Sequence, residues 1–149
     1  MSCDVLSNIV DIAGCGVMMN PGKLNVIENN ILVDCDYQII YQVVPQMVSV
    51  RNNYTQNQVR KNLYSTTNVS DEFYALHACT EDSVLSDSNQ NLFWKSAGGN
   101  YNFWINEDAN SGVWGDGGGF DVNMTTWQNT YLYDINSGIA DPCFVDLRE

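Results

Sequence analysis

Basic side chains are scarce in this chain: six Lys and Arg face 18 Asp and Glu, for a formal net charge of -12. Lys23, Arg51, Arg60, Lys61, Lys95 and Arg148 form no run, and a surface of this sign repels phosphate, so nucleic acid is not expected as a partner. Long apolar runs are missing as well. The stretch Gln42 to Val50 is interrupted by Pro45 and falls far short of the ~20 residues that a membrane span needs. No basic segment followed by an apolar one opens the chain, which reads as synthesis in the cytoplasm without a signal peptide and no membrane partner.

Histidine is almost absent, and cysteine is unpaired in sequence. His77 is the one imidazole; Cys3, Cys15, Cys35, Cys79 and Cys143 contain no C-x-x-C, so the ligand spacing of a structural zinc site is lacking. His77 and Cys79 supply the minimum for thiol catalysis, but nothing in the sequence supplies a group to orient the imidazole or donors for an oxyanion. No phosphate-binding glycine loop occurs. The expectation is therefore a non-enzyme without a cofactor, its cysteines acting as small buried hydrophobes in a reducing cytosol.

What the chain does have is aromatic residues, asparagine and glycine, arranged in short blocks. Its 149 residues suit a single domain, 1–149, divided into an N-terminal helical arm over 1–16 and a β-rich body over 23–149. Val5, Leu6, Ile9, Val10 and Ile12 fall near helical spacing behind Asp4 and before Gly14 and Gly16, which predicts a short helix. Beyond the Asn20-Pro21-Gly22 turn, alternation takes over in Leu24–Glu28, Ile31–Asp34, Tyr37–Val44 and Met47–Val50, with Asn29-Asn30 as a hairpin turn. The polar segment Arg51–Asn68 reads as an exposed edge or long loop that another chain covers. Further strands are expected at Leu92–Lys95, Tyr101–Asn106, Gly119–Met124, Thr126–Asp134 and Pro142–Leu147. The fold expected is mainly β, an antiparallel sandwich or small barrel with the short N-terminal helix; the alternative is α+β with a second helix near 70–85, where Ser70, Asp71 and Glu72 resemble a helix start.

Trp94, Trp104 and Trp114 recur at intervals of ten, and NLFW at Asn91–Trp94 resembles NFW at Asn102–Trp104. In a meander that interval places the indoles in a row across neighbouring strands, facing either the core or the outside. An outward row would grip a partner protein or sugar rings, so Trp94, Trp104, Trp114 and Trp127, with Tyr54 and Tyr64, are the candidate contact residues. Asn106, Asp108, Asn110, Asp116 and Asp121 form part of a calcium-loop pattern, but the glycine falls one place late and no Glu closes the loop. The sequons at Asn53, Asn68 and Asn123 match chance expectation in so asparagine-rich a chain.

These observations point to a structural or assembly protein, a component of a virus or bacteriophage particle such as a capsid decoration or a tail or neck subunit. It would act through contacts with copies of itself or with a shell or tail protein, and would reside in the virion. The alternative is a lectin-like module in which Trp104, Trp114 and Trp127 stack on sugars while Asn106, Asp108 and Asp116 bond hydroxyls.

Overall fold

The described strands are two to six residues long, and several of them, Asp4–Leu6, Val26–Glu28, Ile31–Val33, Asn57–Arg60 and Leu85–Asn89, stop at a residue with a left-handed backbone: Ser7, Asn29, Asp34, Lys61 and Gln90. The computed structural model describes residues 3–11, 14–19, 24–42, 56–68, 72–77, 85–106 and 120–143. Asp4–Leu6 (β1), Ile9–Asp11 (β2) and Cys15–Met19 (β3) make a first coil, and Val26–Glu28 (β4), Ile31–Val33 (β5) and Tyr37–Gln42 (β6) a second. The third coil is Asn57–Arg60 (β7), Leu63–Thr66 (β8) and Glu72–His77 (β9); the fourth is Leu85–Asn89 (β10), Leu92–Lys95 (β11) and Asn102–Asn106 (β12). Phe120–Asn123 (β13), the helix Met124–Asn129 (α1) and Gly138–Ile139 (β14) follow.

Each strand pairs with its counterpart one coil later, always in parallel, so three sheets stack around a common interior: β1-β4-β7-β10, β2-β5-β8-β11-β14 and β3-β6-β9-β12. Only β13, on β12, runs antiparallel among the described residues. The result is a three-sided parallel β-solenoid rising about 4.8 Å per coil.

The corner between the first and second sheets repeats the same device four times. Ser7, Asn29, Lys61 and Gln90 take φ of 56°, 58°, 55° and 58°, and each is followed by an asparagine: Asn8, Asn30, Asn62 and Asn91. A left-handed non-glycine residue costs about 1 kcal/mol, so something must offset it. The asparagines do so by stacking. Asn30 Oδ1 accepts from the backbone N–H of Asn8 at 2.9 Å and from its Nδ2 at 3.0 Å; Asn62 Oδ1 accepts likewise from Asn30, and Asn91 Oδ1 from Asn62. The remaining amide hydrogens reach backbone carbonyls, Asn62 Nδ2 to Ile27 O and Asn91 Nδ2 to Val59 O. A shorter ladder of Asn25 on Asn57 lines the entrance to the first sheet, again behind left-handed residues, Leu24 and Gln56.

The interior is filled by columns one residue deep. Val5, Ile27, Val59 and Ser88 share register in the first sheet; Val10, Leu32, Tyr64 and Phe93 in the second; Val17, Ile39, Tyr74 and Phe103 in the third. Aliphatic coils thus give way to aromatic ones. Tyr64 stacks on Phe93 at 5.0 Å and Phe103 on Trp127 at 4.6 Å, with Phe73 wedged edge-on against Phe93.

Several expectations are overturned. The sheets are parallel, so neither the antiparallel sandwich nor the small barrel describes them. The Asn29-Asn30 turn exists with the positive φ expected of it, but it swings the chain into a different sheet instead of folding it back on its own neighbour. The N-terminal helix is replaced by β1 and β2, broken at Ser7 and held by parallel pairing to β4 and β5. The second helix near 70–85 gives way to β9 over 72–77, the remainder lying outside the described residues. The one helix among the described residues lies on the C-terminal side: α1 occupies part of the span read as the strand Thr126–Asp134, because Asn123 Oδ1 accepts from Thr126 N–H and starts it. Arg51–Asn68 is no exposed loop where it is described; β7 and β8 are central strands.

The ladder carries a measurable consequence. Asn62→Ala removes the acceptor of the Asn30 backbone N–H in a buried corner, together with one of the bonds of Asn30 Nδ2 and the bond to the Ile27 carbonyl, and should lower the free energy of unfolding by about 1–3 kcal/mol in urea titration. Gln58→Ala, on the outward face of β7, should cost less than about 1 kcal/mol.

Candidate docking surface

The two ends of the solenoid differ. At the C-terminal end every sheet is closed: β13 pairs with β12, β14 pairs with β11, and the segment after α1 binds β10 through Asp134 N–H to Ser88 O at 2.6 Å. The asparagine ladder is terminated there by a wholly buried carboxylate. Asp134 accepts from Asn91 Nδ2 at 2.8 Å, Ser137 Oγ at 2.6 Å, Ser88 Oγ at 2.7 Å and Trp127 Nε1 at 2.9 Å, so four donors satisfy it. Ser137 Oγ also accepts the Asn91 backbone N–H that a further asparagine would have taken. Burial, and then the charge on Asp134, pushes the Tyr74 hydroxyl well above the ordinary tyrosine value, so it stays neutral among Tyr64, Ser88 and Asn91. Lys95, also buried, holds its ammonium 5.4 Å from the centre of the Phe73 ring.

At the N-terminal end β1, β2 and β3 are the outermost strands of their sheets. A residue in a parallel ladder turns both its N–H and its C=O to the same side. Cys3 O receives Val26 N–H and Ser7 N–H goes to Glu28 O, so Asp4 and Leu6 direct theirs away from β4. Asn8 O receives Ile31 N–H, leaving Ile9 and Asp11 directed outward, and Gly14 O receives Tyr37 N–H, leaving Cys15, Val17 and Met19. Apolar side chains stand on the same coil: Ile9 is 75% exposed, with Leu6 and Met18 each about half exposed. Ile9 also begins an outward column through Ile31, Leu63 and Leu92, which are half-buried. Cys15 is not a reactive group on this rim, because burial and the neighbouring Cys35 push its thiol up to about 11.

The residues singled out from sequence are scattered by this architecture. Trp94 and Trp104 are half-buried in β11 and β12, which belong to different sheets, so the interval of ten does not set them side by side. Trp104 lies opposite Asp121 on β13, beside Asn102. Trp127 is wholly buried in α1, and Tyr64 is wholly buried in the core. Trp114, Tyr54, Asp108, Asn110, Asp116 and Cys79 lie outside the described residues; Asn106 and His77 end β12 and β9. Asp121 is exposed. Among the described residues no group of three or more His, Cys, Asp or Glu is placed to hold a metal, and no helix is long and apolar enough to cross a membrane.

The signal that sequence reasoning missed is a repeat. Ser7-Asn8-Ile9-Val10, Asn29-Asn30-Ile31-Leu32, Lys61-Asn62-Leu63-Tyr64 and Gln90-Asn91-Leu92-Phe93 share one grammar: a turn residue, asparagine, a branched aliphatic, then an inward apolar residue. Their separations of 22, 32 and 29 residues hide it from a search at fixed period.

On the outward face of the first sheet, Glu28 bonds Lys61 at 2.7 Å and Arg60 at 3.2 Å, with Asp87 3.9 Å from Arg60. The Lys61 ammonium first, and Arg60 after it, hold the Glu28 carboxyl below its usual value near 4.5. A carboxyl depressed in the folded state stabilises above its unfolded value and loses that contribution as pH falls through the folded one. Thermal unfolding followed from neutral pH down through the region just below 4.5 should therefore drop more steeply in the wild type than in Glu28→Gln. Equal slopes would leave the Glu28 cluster without a role in stability.

No family model, no curated protein and no solved structure matches this chain, so the molecule is described by its own geometry.

Proposed function

We propose that this protein is an assembly subunit, a structural component of a larger particle of the virus or bacteriophage kind, working through protein–protein contact at its first coil. The observation that carries the reading is the presence of exposed apolar side chains, Leu6, Ile9 and Met18, on three strand edges that no other strand among the described residues pairs with. Unpaired edges with an apolar rim are templates for another chain, and proteins that stay single generally blunt them with lysine, proline or a covering loop. β1, β2 and β3 contain neither lysine nor proline. The chain's net charge of -12 keeps free subunits apart until a specific contact forms.

The lectin-like reading has less support. Trp104 beside Asn102 and Asp121 offers one indole with polar neighbours, but Trp127 is interior and Trp94 lies on another sheet, so the described residues bring no two indoles together on one outer face; Trp114 lies outside them.

Cross-linking with mass spectrometry on the chain in its native particle tests the proposal. Links from the first coil to another polypeptide are expected, and Leu6→Lys with Ile9→Lys should abolish them while leaving the free energy of unfolding in urea within about 1 kcal/mol of wild type, since both side chains are exposed. Absence of any intermolecular link from the first coil would overturn it.

A further inference from the structure

We infer that the first coil docks against the first coil of a second copy of this chain, end to end, about a two-fold axis perpendicular to the solenoid. The inference rests on the assembly reading and names the partner for that surface.

Three features select the occupant. The edge is not one strand but three, β1, β2 and β3, set around a common core, so a partner that satisfies it must present three strand edges at matching angles. An extended peptide would pair with one edge and leave the other two open. Within the described residues the chain's other end does not repeat those three edges, because β13 and β14 are already added to β12 and β11 and Asp134 is bound to β10. The surface that matches is the first coil itself: a two-fold axis sets its edges antiparallel to those of the copy, which is how C2 interfaces become self-complementary.

Seven residues, Asp4, Leu6, Ile9, Asp11, Cys15, Val17 and Met19, turn their backbone groups to that side. Asn8 adds a side-chain acceptor. Its N–H and Nδ2 both go to Asn30, so its Oδ1 occupies the place in the ladder from which Asn30, Asn62 and Asn91 each accept two hydrogen bonds. Exposed Leu6, Ile9 and Met18 would be covered by their counterparts.

Size and charge set the strength. Strands of three, three and five residues at about 3.3 Å each outline an end roughly 20 Å across, so pairing buries on the order of 1,000 Å² in total, the lower bound for a specific interface. An interface of that size is a weak one. The described first coil carries Asp4 and Asp11 and no lysine or arginine, so pairing brings like charges together and should strengthen as salt screens them. A basic partner would show the opposite dependence.

Sedimentation equilibrium of the purified full chain, from about 1 µM to about 500 µM at about 50 mM and about 500 mM salt, decides the matter. A shift from the 16.7 kDa monomer to twice that mass is expected, stronger at the higher salt. Leu6→Pro removes an N–H that the fold does not use and should weaken dimerisation at least tenfold with the far-ultraviolet circular dichroism unchanged. Ile9→Lys, which leaves the backbone intact, should do the same and serves if the proline variant does not fold. A monomer throughout, a dimer indifferent to both variants, or a dimer that dissociates as salt rises would each overturn the inference. A chain that is monomeric alone yet cross-linked through its first coil in the native particle would overturn self-pairing while the assembly reading stands.

Discussion

Everything in this molecule depends on the buried asparagine ladder. A carboxamide in a core is expensive unless all its hydrogen-bonding capacity is met, and the ladder meets it by making each asparagine the partner of the next. That arrangement works only if the chain returns to the same place one coil later, at strand spacing. Asn8, Asn30, Asn62 and Asn91 therefore fix the register of all the coils at once, while the connections between them vary from 22 to 32 residues. The left-handed residue before each asparagine turns the corner, and the strained backbone is held by the same bonds that hold the register.

A ladder must end somewhere, and its two ends are treated differently. At the C-terminal end the donors of Asn91 meet a carboxylate and a hydroxyl, Asp134 and Ser137, and the aromatic interior is sealed by Trp127 lying flat on Phe103. The buried Asp134 carboxyl group is accommodated because four donors surround it; truncating any one of them would leave it short of a hydrogen bond in a dry site. At the N-terminal end the described residues offer no such device. The core thins to Val5, Val10 and Val17, and Leu6, Ile9 and Met18 are exposed beside the edges. Exposed apolar side chains also occur at the other end, at Leu132, Ile135 and Ile139, so what separates the ends is the added strands and the buried Asp134.

Much of the local structure was legible in the sequence, and the global arrangement was not. Alternation located some strands, including Ile31–Val33, Tyr37–Gln42 and Leu92–Lys95, because an inward-outward pattern is the same whether neighbours run parallel or antiparallel; the three-residue strands of the first coil and the polar β7, β8 and β10 escaped it. For that reason it could not choose between them. Asn29-Asn30 has the composition of a hairpin turn and the positive φ of one, and only the long-range bond from Asn30 to Asn62 reveals a corner. Val5, Leu6, Ile9 and Val10 fit helical spacing by accident of two three-residue strands separated by a two-residue corner. The tryptophan interval misled in the same way: β11 and β12 follow one another in sequence, yet the corner between them sends Trp94 and Trp104 to different faces. The four Asn-Ile or Asn-Leu corners carried the topology, and NLFW at Asn91–Trp94 is kin to those and not to the NFW of β12.

The asymmetry of the ends also determines what kind of object pairing can make. A solenoid open at both ends stacks head to tail without limit, since each new subunit presents the same edge as the last, and that is the geometry of a fibre. Here one end is closed by an antiparallel strand, a helix and a buried acid, so on the proposed reading contact is confined to the open coil and ends with the second copy. Acidity works in the same direction, since charge spread over the sides opposes lateral association of the flat outer faces and leaves the end, with only Asp4 and Asp11, as the least repulsive approach. Closure at the C-terminus is thus a limit on growth as much as a contribution to stability, and the buried Asp134 that terminates the ladder is the group on which that limit turns.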